Sequence, residues 1–417
     1  MLRIISIIIL FFNVAFASEL ITIDAEKYIK QNPSLERKEL VNFLNNQFNG
    51  KTVNQKQLDN LWENTKLRET YMMSRFQIVN QKVYADSYYI AHYYFPTLLQ
   101  YFQDLSKKYK IPDVDFIIYL REEIPMSEEL GKETMNIPAF MMFQDKTSIY
   151  ETDKLLFPDA FFIKENWESK WRNILNRIKK ANTQHPWEQK IEKIFWRGMT
   201  TGDFHDYTIA NFNKLPRLTA SVLSKLYPNL IDSEFTYYSP QVTGEDLMKF
   251  FKSLFGKDKI KVSEENHLKY KYLLSLDGNA ATGTRIPWIM YSNSVLVKQE
   301  SQKIQWYYTA LKPYVNYVPL KHDLTDIFEQ INWMKSHDDE VHKIALNAHE
   351  FVANNLMPDD IDKQIVILLK NFAKIQENKQ ISATLVPAED IISVSSVINM
   401  YLFRIKRYIM DRIKTWK

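Results

Sequence analysis

Lys269–Arg285, KYKYLLSLDGNAATGTR, decides the reading of the chain. Its first half is an apolar run. Its second half is a turn of small residues, with Gly278, Ala280, Ala281 and Gly283, closing on Thr284 and Arg285. The pattern predicts a buried strand, a tight turn at its carboxyl end and a helix after it. Small residues leave room at the end of an α/β strand, where such sheets bind ligands. Backbone amides in the turn can hold an anion, and Arg285 can neutralise it bidentately. A Walker loop is excluded because no Gly-Lys-Ser/Thr follows, and G-x-G-x-x-G does not fit either. Read in isolation, the segment also fits an ordinary structural turn.

Working outward, the chain has only eight glycines, and four fall in two short segments. Gly278 and Gly283 belong to the stretch above. Gly198 and Gly202 belong to Phe195–Gly202, FWRGMTTG, which pairs glycine with Arg197, Thr200 and Thr201. Glycine permits positive φ and lets backbone amides approach a ligand closely, which is what anion-binding turns require. Around them, helix followed by buried strand recurs. Leu223–Leu230 leads to Ile231–Thr236, Ser294–Lys298 (SVLVK) is a core strand, and Val114–Leu120 (VDFIIYL) reads as a buried parallel strand. Phe76–Tyr84 reads as two short strands around an Asn-Gln-Lys turn. The alternation predicts an α/β fold with parallel sheets.

Length and composition agree. A chain of 417 residues, 45% hydrophobic and 25% charged, holds two ordinary domains and is globular. A net charge of +4, from 54 basic and 50 acidic side chains, is too balanced for a nucleic-acid binder. There is no cysteine, which excludes thiol catalysis and zinc-thiolate or iron–sulfur sites. Arg3, the apolar run Ile4–Phe12 and Ala15-Phe16-Ala17 predict a signal peptide over residues 1–17, with an uncleaved anchor as the alternative. At the other end, Leu402, Ile405, Ile409, Ile413 and Trp416 share one helical face amid basic residues. That helix either docks on the body or rests peripherally on a membrane surface.

Lys269–Arg285, with Ser294–Lys298, Glu300 and Ser301, resembles the CAP10-like glycosyltransferases (family 90). The family includes protein O-glucosyl- and O-xylosyltransferases and bacterial lipopolysaccharide-modifying enzymes. Phe195–Gly198, Pro228–Asp232, Leu311–Tyr314, Tyr317–Lys321 and Asp323-Leu324 follow in the family's order, so the likeness spans roughly residues 75–355. The resemblance implies a GT-B architecture, two facing Rossmann-like domains with additional N- and C-terminal helices. It places an acceptor-side domain at 18–190, a donor domain at 191–370 and C-terminal helices at 371–417. It implies inverting transfer of a glucose- or xylose-class sugar from a UDP-sugar to a hydroxyl on a protein or glycan, with no cofactor and no obligatory metal.

Residue by residue, the family's donor side falls on Arg197, Gly198, Thr200, Arg217, Gly278, Ala280, Ala281, Thr282 and Arg285, with Glu300 as a partner for ribose hydroxyls. Inverting transfer also needs a general base, because an alcohol is a poor nucleophile until its proton is being removed. The family places an acidic residue after the buried strand of the acceptor domain. Here Val114–Leu120 is followed by Arg121-Glu122-Glu123-Ile124-Pro125, which makes Glu122 the first candidate and Glu123 the second. The family more often has Asp, one residue closer to the proline. The alternative is a non-catalytic glycan- or nucleotide-sugar-binding protein that keeps the fold. Asp113-Val114-Asp115 matches a metal-binding D-x-D pattern, but it sits at the entrance of a core strand. Trp306-Tyr307-Tyr308 reads as core.

Overall fold

The computed structural model describes residues 19–86, 94–121, 132–134, 136–148, 153–163, 168–202, 215–239, 245–256, 261–378 and 383–391. The expected signal peptide, Glu122, Glu123 and the basic C-terminal helix lie outside the described residues. Among those described, no helix is long and apolar enough to cross a membrane.

The chain is mixed α/β, built on two larger sheets. In the first, β1 (Met73–Val79) and β2 (Lys82–Ala85) form a hairpin. Asn80 and Gln81 make its two-residue turn with φ of 50° and 64°, the left-handed pair that matches strand twist. On its other edge β1 meets β3 (Val114–Tyr119) antiparallel, and β3 continues parallel to β4 (Phe140–Met141) and then β6 (Leu155–Leu156). The sequence reading of β3 as a parallel strand therefore describes one of its two edges. It is buried throughout because helix Pro358–Ile375 covers it. A terminal strand β13 (Val386–Pro387) adds to the edge of β2.

The D-x-D pair has a structural use here. Asp113 accepts the Asn80 amide at 2.8 Å and so closes the hairpin. Asp115 is fully buried and accepts from Arg75 at 2.9 and 2.7 Å, Gln55 at 2.9 Å and Gln77 at 2.8 Å. A buried carboxylate is tolerated because its lone pairs are filled. Among the described residues no group of His, Asp and Glu is placed to hold a metal ion.

The second sheet is parallel throughout, in the order β12 (Val318–Leu320), β10 (Val295–Gln299), β9 (Tyr270–Ser275), β7 (Ile191–Met199) and β8 (Ile231–Tyr237). Strand periodicity sends alternate side chains to opposite faces. Phe195, Leu273 and Leu296 enter a core shared with the first sheet. Ile194, Trp196, Tyr272, Leu274, Val295 and Val297 enter a second core, under helices Pro216–Leu226, Glu245–Phe255 and Ile327–Ser336. Cover on both faces explains why β9 and β10 are buried almost throughout, whereas β8 at the sheet edge alternates. A short ribbon, β5 (Gln144–Asp145) with β11 (Lys303–Ile304), links the segment after β4 to the segment after β10.

Candidate active site

The carboxyl ends of β7 and β9 open into a cleft of about 760 Å³. One wall is the turn that follows β9. Within it Asp277 accepts the Thr282 amide and hydroxyl, each at 3.1 Å, which closes the turn on itself. Gly278 is required sterically, since a Cβ there would stand 2.8 Å from the Arg217 guanidinium and 2.9 Å from the Thr201 hydroxyl. The turn's carbonyls are occupied on one side. Lys303 donates to Gly278 and Asn279 at 3.2 and 2.9 Å, Gln305 to Thr282 at 2.6 Å, and the Tyr308 hydroxyl to Thr282 at 3.3 Å. Among the described residues the amides of Ala280, Ala281, Gly283 and Thr284 have no such partner.

Three arginines line the cleft in different states. Arg197 reaches sideways to β8, pairing with Asp232 at 2.7 Å and Glu234 at 3.4 Å, its guanidinium 4.3 Å from the Phe195 ring centre. Arg217 is a staple: it donates to the carbonyls of Asp277, Met199 and Leu276 at 2.8, 2.9 and 3.1 Å and to the Thr201 hydroxyl at 2.5 Å. These bonds tie the ends of β7 and β9 together. Arg285 donates to the Arg197 carbonyl at 2.6 Å, while its Nη1 is buried without a partner. Burial pulls Arg285 down to about 10, and burial plus the nearby Arg285 pulls Arg217 down to about 9. Both remain charged at neutral pH. An unpaired buried guanidinium beside four unpartnered amides is a site built for an anion.

His267 is the remaining titratable wall. Its Nδ1 lies 2.8 Å from the Ser263 carbonyl, and its ring meets Phe195 and Trp288 edge-on. Burial, with Arg285 next in weight, lowers it to about 4, so the imidazole is neutral at pH 7. Phe143 and Phe161 reach the cleft from the segments that follow β4 and β6. Both sheets therefore contribute to one cleft.

Comparison with known proteins decides the family. The description Glycosyl transferase family 90 matches residues 59–395. The chain belongs to that family. It is 27% identical over 313 residues to protein O-glucosyltransferase 2 of Danio rerio, covering 75% of this chain and 57% of that one. To protein O-glucosyltransferase 3 of Mus musculus it is 28% identical over 278 residues, covering 66% and 50%. To protein O-glucosyltransferase 1 of Homo sapiens it is 27% identical over 281 residues, covering 64% and 63%. The aligned stretch thus spans between half and two thirds of these relatives.

The donor-side residues implied by the family 90 resemblance can now be placed. Arg197, Gly198, Arg217, Gly278, Ala280, Ala281, Thr282 and Arg285 converge on the cleft. Thr200 is fully buried: its amide bonds Tyr237 and its hydroxyl accepts the Ser239 amide at 2.7 Å, so it braces the wall from behind. Its neighbour Thr201 is the one that faces inward. Glu300 is exposed at the end of β10, held through its backbone to Leu320 and His322, and is not among the cleft-lining residues. Trp306 and Tyr307 are core. Sequence reading missed Thr201, His267, Lys303, Phe143 and Phe161. Only Thr201 had a signal, its place between two glycine turns.

Proposed function

We propose that this family 90 protein is an inverting glycosyltransferase of GT-B architecture. It moves a glucose- or xylose-class sugar from a UDP-sugar to a hydroxyl on a protein or glycan. The observation that carries this reading is the unpartnered Arg285 Nη1 beside the partnerless amides of Ala280, Ala281, Gly283 and Thr284. A nucleotide diphosphate supplies the acceptor oxygens these donors lack. Family membership and the likeness to protein O-glucosyltransferases support a sugar nucleotide over other diphosphates.

In this reading the residues divide the work. Arg285 and the turn amides hold the diphosphate and stabilise the charge it gains as the glycosidic bond breaks, because they are fixed before the reaction begins. Arg217 and Arg197 keep the wall in place, the first through carbonyls and the second against Asp232 and Glu234. Phe143 and Phe161 bound the space for the sugar from the acceptor side. Glu122, or Glu123 in its place, withdraws the acceptor proton as the hydroxyl attacks the anomeric carbon opposite the leaving diphosphate. No metal step is required, since positive charge for the leaving group is supplied by the chain.

The test is release of UDP from UDP-glucose and UDP-xylose by the purified protein, with and without EDTA. Catalysis is expected in both buffers, with Glu122→Gln slower by a factor of about 10² to 10⁴. Equal rates for wild type, Glu122→Gln and Glu123→Gln would reject the base assignment. UDP binding without turnover of any donor would favour a non-catalytic sugar-nucleotide binder.

A further inference from the structure

We infer that Lys303 is a positioning residue for the donor site: its ammonium fixes the direction in which the turn after β9 presents its amides. The inference rests on the donor-site reading above and deepens it. In a trans peptide the C=O of one residue and the N–H of the next lie in one plane and point opposite ways. Holding a carbonyl therefore aims the following amide. Lys303 Nζ holds the Gly278 and Asn279 carbonyls, which turns the amides of Asn279 and Ala280 away from it, toward the cleft wall they line. Gln305 does the same for the Thr282 carbonyl at 2.6 Å and more loosely for Gly283 at 3.5 Å, aiming the amides of Gly283 and Thr284. A glycine- and alanine-rich turn has little intrinsic preference for one orientation of these planes. Side chains outside it have to supply one.

Lys303 can do this because it is itself anchored. It sits on β11, paired to β5 with Lys303 opposite Asp145, and the Lys146 amide bonds the Gln302 carbonyl at 3.0 Å. Strand β5 directly follows Phe143, which also lines the cleft. The peptide planes of the donor turn are thus tied to a second segment that lines the same cleft. An ammonium also polarises the carbonyls it holds, and hydrogen bonds in series reinforce one another, so the aimed amides become better donors.

Titration calorimetry with UDP as the probe, alongside UDP-glucose kinetics and thermal melts, tests this on the full chain. Lys303→Met is expected to weaken UDP binding about tenfold, the scale of one charged hydrogen-bond pair, and to raise KM by a similar factor. Its kcat should fall as well, because the amides that Lys303 aims also receive charge as the diphosphate leaves, while the melting temperature stays within a few degrees of wild type. Gln305→Met, which removes the companion donor without removing charge, should show the same losses and stands in if the lysine variant folds poorly. UDP affinity within twofold of wild type in both variants would overturn the inference. So would losses that track a lowered melting temperature. If wild type binds no UDP and consumes no UDP-sugar, the donor-site reading fails and takes this inference with it.

Discussion

Arg285→Ala should separate activity from stability. In the fold, Arg285 uses one strong hydrogen bond, to the Arg197 carbonyl at 2.6 Å, and leaves Nη1 buried and unpaired. Losing that bond costs about 1.5–3 kcal/mol. Against this, burial pulls the guanidinium from 12.5 to about 10, a penalty on the charged form of about 3 kcal/mol, which truncation relieves. The two terms nearly cancel, so the melting temperature should move by no more than about 3 °C. For catalysis nothing cancels: removing one preorganised donor from a developing anion costs about 3 kcal/mol, or a hundredfold or more in kcat/KM. Arg217→Ala is the control, since it strips four hydrogen bonds from the ends of β7 and β9 and should destabilise by several kcal/mol. The assays are UDP release from UDP-glucose and a thermal melt on the same preparations. An Arg285→Ala protein that keeps its activity, or whose loss follows a large drop in melting temperature, would refute the reasoning.

Gly278→Ala places a methyl 2.8 Å from the Arg217 guanidinium and should cost about 1–3 kcal/mol in chemical denaturation, with UDP affinity falling further than stability alone explains. His267 has its folded value lowered from 6.5 to about 4, so its contribution is complete above pH 6.5 and is lost as pH falls toward 4, by about 3 kcal/mol at most. Urea midpoints at pH 7 and pH 4.5 should therefore differ less in His267→Gln than in wild type. Asp115→Ala leaves Arg75 buried with only the half-exposed Asp59 as ionic partner and should cost about 3 kcal/mol in urea, with the melt still cooperative.

Local patterns carried most of the fold. Strand, small-residue turn and helix around Asp277–Arg285 are legible because each is written within ten residues. The hairpin and its turn residues Asn80 and Gln81 were legible for the same reason, with Lys82 opening β2 rather than ending the turn. Thr200 shows where such reading stops. Alternation along β7 and just beyond it puts Thr201 on the face of Arg197 and Met199 that lines the cleft and turns Thr200 to the buried side, but which face borders the cleft is decided only by the turn after β9. Lys303 was equally invisible: SQKIQW has no motif, and its role depends on β11 meeting β5 from far upstream. His267 gains its character from Phe195, Trp288 and two arginines that only the fold assembles.

The three cleft arginines carry positive charge in a confined space in different ways. Arg197 is neutralised by carboxylates on β8, and Arg217 spends its donors on backbone carbonyls. Only Arg285 is held with capacity to spare. Burial lowers Arg285, and burial with the nearby Arg285 lowers Arg217, so holding these guanidiniums charged inside the protein has a cost. In the proposed reading a diphosphate would offset that cost by meeting the open guanidinium and the amides together. Because the donors are fixed by Lys303, Gln305 and the strand ends, little reorganisation is needed when charge moves onto the leaving group. UDP should raise the melting temperature of wild type well beyond that of Arg285→Ala at the same concentration.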